Sequence, residues 1–200
     1  MYNFREEHPI KRDAPKVVTR YGEFKQELKE DFNSKCGYCN DSDHWTGGWR
    51  FYQLDHFVPK KHLVSISENE YTNLVYSCFF CNNSKRAKWP SKKETVHHNG
   101  VEGFIYPKEV EYTDHLKRDI NGAIVPTSDL GKYMIKAMKL DLKRHSIIWN
   151  LEKLETIIDQ LKNEYDRLVG KIPQNLSEKI VSLLFEHRKY SKLLRKEADA

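Results

Sequence analysis

The sequence predicts an α+β fold, in which a small strand–loop–helix unit is followed by a long helical hairpin. Two observations predict it. The four cysteines of the 200-residue chain all lie in two Cys-x-x-Cys pairs, "CGYC" at 36–39 and "CFFC" at 78–81, which enclose an apolar strand pattern. Further along, apolar residues recur at alternating steps of four and three between residues 147 and 168, and this is the spacing of a helix–helix seam.

The first half of the chain alternates between short regular elements and polar loops. Residues 1–18 are interpreted as an N-terminal arm, and residues 19–35 as a helix with apolar residues at helical spacing. Residues 41–49 are rich in turn formers, and the aromatic and apolar stretch 50–59 is interpreted as a strand that Pro59 ends. After the polar loop at 60–72, the second cysteine pair opens a short helix that Pro90 stops.

The second half is predicted to be mainly helical. Asn121–Gly122 favours a hairpin turn, and Ser128 is a candidate N-cap for the helix that follows. The heptad pattern runs from about residue 141 to Gly170, where Gly170 and Pro173 interrupt it. A second helix is expected from about Ser177, with these residues on one face: Ile180, Leu184, His187, Tyr190 and Leu194. The two helices would form an antiparallel hairpin.

Composition and charge narrow the class of protein. A net charge of +5 and a pI near 8.9 favour an anionic partner. No stretch approaches the roughly 20 apolar residues that span a bilayer, and the N-terminus does not resemble a signal peptide. We therefore expect no membrane association and a cytoplasmic location, where thiols stay reduced.

The cysteine pairs predict a zinc site. Four thiolates with no cysteine left over suit a tetrahedral zinc ion better than disulfides in a reducing compartment. A redox role would need one pair only. The predicted ligands are Cys36, Cys39, Cys78 and Cys81. Zinc binding would supply folding energy that this small unit lacks.

Asp55 and His56 are adjacent polar residues at the end of an apolar strand. Burying either of them unpaired is costly. They could be structural, with Asp55 capping a turn and His56 bonded within the core. Three further residues favour a functional role instead, because Asn73 opens "NLVYSC", Asn82 follows Cys81 directly, and Lys85 lies one helical turn beyond Asn82.

Together these residues give the order C-x-x-C, D-H, N-L, C-x-x-C-N-x-x-K across residues 36–90. This pattern resembles the HNH endonucleases, whose core is a ββα-metal finger and many of which carry a four-cysteine zinc scaffold. The resemblance implies a zinc-stabilised ββα finger, to which the patterns on either side add flanking helices and the C-terminal hairpin. We therefore expect an arm at 1–18, the HNH nuclease domain at 19–95, a linking hairpin and helix packed on the nuclease core at 96–140, and the helical hairpin at 141–200.

The resemblance also implies roles for individual residues. His56 would be the general base and Asn73 would fix the loop so that His56 points at its water. Asp55 and Asn82 would hold a catalytic Mg²⁺ or Mn²⁺, for which oxygen donors are suited. Asn82 stands where the family often has histidine, so metal preference stays open.

Basic residues after the second cysteine pair are candidates for nucleic-acid binding. Lys85, Arg86 and Lys88 could contact phosphates, although a solvated basic face would explain them equally well. We expect DNA rather than RNA as the substrate, because duplex DNA is the family's usual one.

The segment from Phe104 to Asp141 resembles the part that follows the finger in HNH proteins of retron and Septu-type anti-phage systems. That resemblance implies an ATPase partner, for which the C-terminal helices would be a docking surface. The alternative, which the heptads favour, is that their apolar seam is buried within the chain. The alternatives are a zinc-stabilised nucleic-acid-binding module without chemistry and an adaptor whose finger only supports protein contacts.

Overall fold

The computed structural model describes residues 1–13, 15–168 and 173–198. They divide into two compact units, residues 1–142 and 143–200. The α+β fold class is confirmed. The predicted domain boundaries stay predictions, and the predicted helix break at Gly170 lies outside the described residues.

The described residues of the first unit contain two small antiparallel sheets and three α-helices. One sheet has the strand order β1-β4-β5 and the other pairs β2 with β3. Its strands are β1 Tyr2–Asn3, β2 Gln53–His56, β3 Leu74–Ser77, β4 Leu116–Arg118 and β5 Ile124–Pro126. Its helices are α1 Lys25–Asp31, α2 Phe79–Lys85 and α3 Asp129–Met138.

Short 3₁₀ helices connect these elements. One of them, Trp49–Phe51, occupies the start of the stretch expected to be strand, so β2 is only four residues long. A second, Asp43–Thr46, lies in the expected loop. The predicted helix at 19–35 is a 3₁₀ turn, Tyr21–Phe24, that continues into α1.

The first residues of the expected N-terminal arm are folded into the first unit. Tyr2 and Asn3 pair with Arg118 and Lys117 of β4, and Phe4 is buried in the core. The partner strand lies more than 100 residues away along the chain, so no local sequence pattern predicts this pairing.

The strands β2 and β3 and the helix α2 form a ββα unit. His56 pairs with Leu74 and Asp55 with Val75 in the antiparallel register. All four residues of β3 are buried, which explains its unbroken apolar pattern. The unit places the ends of β2 and α2 side by side, and the candidate site is built there.

The second unit is an antiparallel pair of long helices, α4 Lys143–Arg167 and α5 Gln174–Ala198. The ion pair from Lys143 to Glu197 and the approach of the Glu155 carboxylate to His187 Nε2 at 3.4 Å show the direction of the pairing. The expected face of α5 needs one correction, since Leu184 is exposed while Leu183 is partly buried. Both choices fit helical spacing, and only the packing distinguishes them. No helix among the described residues has the length and apolar character needed to cross a membrane.

Candidate metal-dependent active site

The four cysteines form one buried cluster, as the sequence predicts. Their sulfur atoms lie within 4.8 Å of one another, and the Cys39 and Cys78 sulfurs are 3.8 Å apart. Ligands at a Zn–S distance of about 2.3 Å in a tetrahedron are separated by about 3.8 Å, whereas a disulfide needs about 2.05 Å. The donor set is therefore compatible with a zinc ion, and all four cysteines are free of disulfides in this structure.

Local backbone geometry shapes the two cysteine pairs. In the first, the Asn40 amide donates to the Cys36 carbonyl at 2.9 Å, and the Gly37 amide donates to the Tyr76 carbonyl of β3 at 2.8 Å. In the second, Cys78 is the N-cap of α2 and its sulfur accepts from the Cys81 amide at 3.5 Å. The β3–α2 turn thereby presents both sulfurs of the second pair on the same side.

Two buried arginines, Arg5 and Arg118, lie against the first cysteine pair. Arg5 donates to the Gly37 carbonyl at 2.7 Å and Arg118 donates to the Cys39 carbonyl at 2.9 Å. A zinc tetrathiolate carries about two negative charges, and a buried charge needs a partner. These guanidiniums would supply positive charge beside a bound zinc ion. Neither residue could be identified from the sequence, because both lie far from the cysteines along the chain.

Asp55 and Asn82 are both brought to the contact between β2 and α2. Asp55 and Gln53 lie on one face of β2, since they are two residues apart. The Asn82 Nδ2 donates to the Gln53 side-chain oxygen, so the Asn82 carbonyl oxygen is the atom available as a ligand. Carboxylate and amide oxygens are donors that suit Mg²⁺ or Mn²⁺.

The Asp55 carboxylate already has two partners on one oxygen. Tyr38 donates to Asp55 Oδ2 at 2.6 Å, and the Lys85 Nζ lies 2.8 Å from the same atom. Tyr38 lies inside the first Cys-x-x-Cys pair, so its position next to a metal-binding motif is the sequence signal that could have identified it. Oδ1 is the Asp55 oxygen left for a cation.

Lys85 requires a correction. Its place in the basic stretch suggested a contact with a phosphate or a solvated face, but the side chain is fully buried and donates to the His56 carbonyl at 3.0 Å besides pairing with Asp55. The helical spacing puts Lys85 one turn after Asn82, on the face that packs against β2. The structure therefore assigns Lys85 to the interior of the finger, where it joins α2 to the Asp-His pair.

His56 contacts a different set of residues from Asp55, as expected for neighbours in a strand. Its Nε2 lies 2.8 Å from the Glu68 carbonyl oxygen, and its ring packs edge-on against Tyr21 with ring centroids 4.7 Å apart. Burial lowers the pKa of His56 below its ordinary value of 6.5, and the Glu68 carbonyl opposes this effect. The imidazole is therefore held in one orientation and favours its neutral form.

Asn73 anchors the loop that follows His56. Its side-chain oxygen accepts from the Val58 amide at 2.8 Å, and its Nδ2 donates to the Val58 carbonyl at 3.1 Å. The Asn73 backbone carbonyl also accepts from the Phe57 amide at 2.8 Å. These three bonds set the path of the two residues directly after His56.

Arg86 and Lys88 are exposed at the end of α2. The Arg86 guanidinium donates to the Asn83 side chain at 2.8 Å and 3.0 Å, while the Lys88 Nζ donates to the Ala137 carbonyl at 2.8 Å. Both cations are therefore at the surface, next to the segment that carries Asn82.

The comparison with protein families decides what this finger is. Residues 36–88 match the family model described as HNH endonuclease. The chain contains an HNH endonuclease domain. The matched residues begin at the first cysteine and end just beyond α2, so they cover both cysteine pairs and the whole ββα unit. The resemblance to this family is thereby confirmed. Comparisons with curated proteins and with solved structures gave no match.

Proposed function

We propose that the HNH domain makes this protein an endonuclease that hydrolyses nucleic-acid phosphodiester bonds with the help of Mg²⁺ or Mn²⁺, with DNA as the favoured substrate. The observation that carries the proposal is the hydrogen bond that holds the imidazole of His56 through one of its two nitrogens. This histidine follows Asp55 within the segment that matches the HNH family.

The bond to the Glu68 carbonyl determines which nitrogen of His56 can act as a base. A carbonyl oxygen only accepts hydrogen bonds, so the Nε2 carries the proton and donates. The lone pair then lies on Nδ1. Because burial lowers the pKa of His56, this nitrogen is unprotonated near neutral pH. It can take a proton from a water molecule that attacks the phosphate.

Asp55 and Asn82 are the residues proposed to hold the catalytic cation. The bound ion would supply positive charge to the scissile phosphate and to the leaving 3′ oxygen. Asp55 contributes a carboxylate whose orientation Tyr38 and Lys85 set, and Asn82 contributes an amide oxygen whose orientation Gln53 sets. Two neighbouring elements thus present oxygen donors that are already oriented by hydrogen bonds.

Asn73, Arg86 and Lys88 are given supporting roles in this proposal. The clamp of Asn73 on Val58 restricts the backbone that carries His56. Arg86 and Lys88 are exposed cations close to Asn82 in the chain, and they suit contacts with phosphates.

We further propose that the protein acts in bacterial anti-phage defence with an ATPase partner, in the cytoplasm, where its thiols remain reduced and can bind zinc. The resemblance of residues 104–141 to retron and Septu-type HNH proteins supports this role. An exposed face of α5 supports a partner, since Val181, Leu184 and Phe185 lie open to solvent beside Arg188 and Lys189. A surface that mixes apolar and basic groups suits a partner with apolar and acidic ones.

One observation favours a second candidate function, a zinc-stabilised nucleic-acid-binding or adaptor module without chemistry. The ammonium of Lys85 already neutralises the Asp55 carboxylate. If that ion pair persists when Mg²⁺ is present, Asp55 serves the fold and binds no catalytic cation. Cleavage distinguishes the two functions.

The proposal is tested by incubating supercoiled plasmid and single-stranded oligonucleotides with the protein in Mg²⁺ or Mn²⁺, alone and together with proteins that co-purify from the native host. We expect metal-dependent cleavage by the unmodified chain. His56→Ala removes the base, so its rate should fall by about 10² to 10⁴-fold.

His44→Ala is the matched control, because it removes an exposed histidine of the same domain that lies outside the site. It should cleave like the unmodified protein. Equal cleavage by His56→Ala, or no metal-dependent cleavage with any co-purified partner, would contradict the proposed function.

A further inference from the structure

Exposed aromatic side chains line a groove next to Asn82. The groove has a volume of about 370 Å³, within the range of small-ligand sites. We call it the aromatic groove and define it by its principal lining residues, which are Arg50, Phe51, Gln53, Phe79 and Phe80. Phe51 is 64% exposed and Phe79 is 52% exposed. Packing of the core does not explain why two aromatic rings in one groove are exposed to solvent.

Neighbouring residues hold the rings in place without covering them. The Phe51 ring lies on Gly47, where a Cβ atom would come within 2.8 Å of the ring. Phe79 packs edge-on against Phe80, with ring centroids 5.8 Å apart. Beside this lining, the ammonium of Lys25 donates to the Arg50 carbonyl at 3.2 Å and lies 5.1 Å from the centre of the Trp49 ring. Phe51 and Phe79 are therefore each packed on one side, and much of each ring is open to solvent.

The groove borders the proposed metal site through Gln53. Gln53 lines the groove, and the same side chain accepts the hydrogen bond from Asn82. A strand whose phosphate lay at Asp55 and Asn82 would therefore have its neighbouring nucleotides at the groove.

The charges at the groove favour nucleic acid over an apolar peptide. Arg50 is part of the lining, and Lys25 is a second cation that donates to the Arg50 carbonyl. Among the described residues that line it, none is a carboxylate. Aromatic rings interleaved with cations form the stacking platforms of proteins that bind single strands.

We infer that the aromatic groove stacks unpaired bases of the strand being cleaved, which makes single-stranded nucleic acid, or the unpaired part of a duplex, the substrate class of this site. The inference rests on the proposed function for the position of the scissile phosphate. Bases in an intact duplex already stack on one another, so the faces that Phe51 and Phe79 could cover become available only when a base is unpaired.

Binding is measured first, by fluorescence anisotropy of labelled single-stranded and duplex oligonucleotides of equal length. All proteins carry His56→Ala so that no strand is cut during the measurement. Phe51→Leu and Phe79→Leu keep an apolar side chain but remove the ring, and each should weaken single-strand binding by about tenfold. Phe51→Tyr and Phe79→Tyr keep the ring and should bind like the parent.

Val110→Ala is the control for loss of an exposed apolar side chain of the same unit, since Val110 is 67% exposed and lies outside the groove. Duplex binding should be similar in all variants. The inference is overturned if the leucine variants bind single strands like the parent, or if single-strand and duplex binding fall equally.

Cleavage separates a failure of the inference from a failure of the proposed function. With His56 restored, we expect single strands and duplexes with unpaired segments to be cut faster than intact duplex, and the leucine variants to lose this preference. Metal-dependent cutting of intact duplex that Phe51→Leu and Phe79→Leu leave unchanged would overturn the inference while the nuclease proposal stands. Single-strand binding that depends on the two rings, without any cleavage, would contradict the nuclease proposal and support base stacking in the aromatic groove.

Discussion

At the scale of single residues, the buried pair of Asp55 and Lys85 is the most consequential contact of the finger. Lys85 has no solvent exposure, and its Nζ lies 2.8 Å from the Asp55 carboxylate and 3.0 Å from the His56 carbonyl. Burying an ammonium ion costs several kcal/mol unless it is paired. The pair therefore holds α2 on β2 and fixes the orientation of one proposed metal ligand.

This contact predicts a large and non-additive effect of substitution on stability. Lys85→Met leaves the Asp55 carboxylate buried without its cation, so we expect the free energy of unfolding to fall by about 3–5 kcal/mol. The double variant Asp55→Asn/Lys85→Met buries no charge at this contact and should lose less than Lys85→Met alone. Denaturant unfolding of the four proteins of this cycle measures the coupling.

Lys61→Met serves as the control, because Lys61 is exposed and such substitutions usually change stability by less than about 0.5 kcal/mol. Additive losses in Asp55→Asn and Lys85→Met would show that the two residues do not stabilise the finger as a pair.

At the scale of elements, the long connection between β2 and β3 acts as a support for His56. The Glu94 carboxylate accepts from the amides of Val64 and Ile66, both at 2.9 Å, and from the Ser65 hydroxyl at 2.7 Å. The same connection carries Glu68, whose carbonyl holds the His56 ring. The position of the base therefore depends on a residue that lies beyond α2 in the chain.

Glu94 predicts a pH dependence at this loop. The hydrogen bonds from Ser65, Val64 and Ile66 lower the pKa of Glu94 from 4.5 to about 2. A lowered carboxyl pKa contributes stability that is fully present above pH 4.5 and is lost as the pH falls towards 2. Glu94→Gln should therefore be less stable than the unmodified protein at neutral pH, and this difference should shrink below pH 4.5.

Hydrogen exchange adds a local measurement of the same prediction. The amides of Val64 and Ile66 should exchange faster in Glu94→Gln, while Glu102→Gln, which removes an exposed carboxylate, should leave them unchanged. A stability difference that is constant from pH 7 to pH 2 would contradict the assigned role of the Glu94 charge.

At the scale of the whole molecule, the first unit is organised around the four cysteines. The two cysteine pairs bracket the ββα finger, and Arg5 and Arg118 connect the first pair to the N-terminal residues and to β4. Parts of the chain that are distant in sequence therefore meet at the proposed zinc site. Because a ligand that binds only the folded state stabilises it, the proposed zinc should stabilise this unit as a whole.

This organisation predicts the effect of metal removal. Metal analysis should find about one zinc per chain, and a chelator should lower the melting temperature and expose the thiols. The four cysteines should resist alkylation before chelation and react after it, which gives the experiment an internal control. Rapid alkylation of the untreated protein, or a preparation without zinc, would contradict the assignment.

The sequence alone determined the elements whose information is local. The order of the cysteine pairs, the Asp-His dipeptide and Asn82 predicted the zinc cluster, the ββα finger and the family of residues 36–88. These predictions were possible because a metal site fixes its ligands at short spacings, which remain visible in one stretch of chain. The heptads predicted the helical hairpin because a helix–helix seam also repeats at short spacings along the chain.

Only the tertiary structure decided what depends on distant contacts or on burial. Periodicity could not distinguish Leu183 from Leu184 on α5, and the basic stretch that begins at the end of α2 did not show that Lys85 faces inwards. The pairing of β1 with β4 and the two arginines at the cysteines join residues far apart in the chain. The aromatic groove depends on which rings the packing leaves uncovered. Burial and long-range pairing are properties of the whole folded chain, so the local pattern of residues does not contain them.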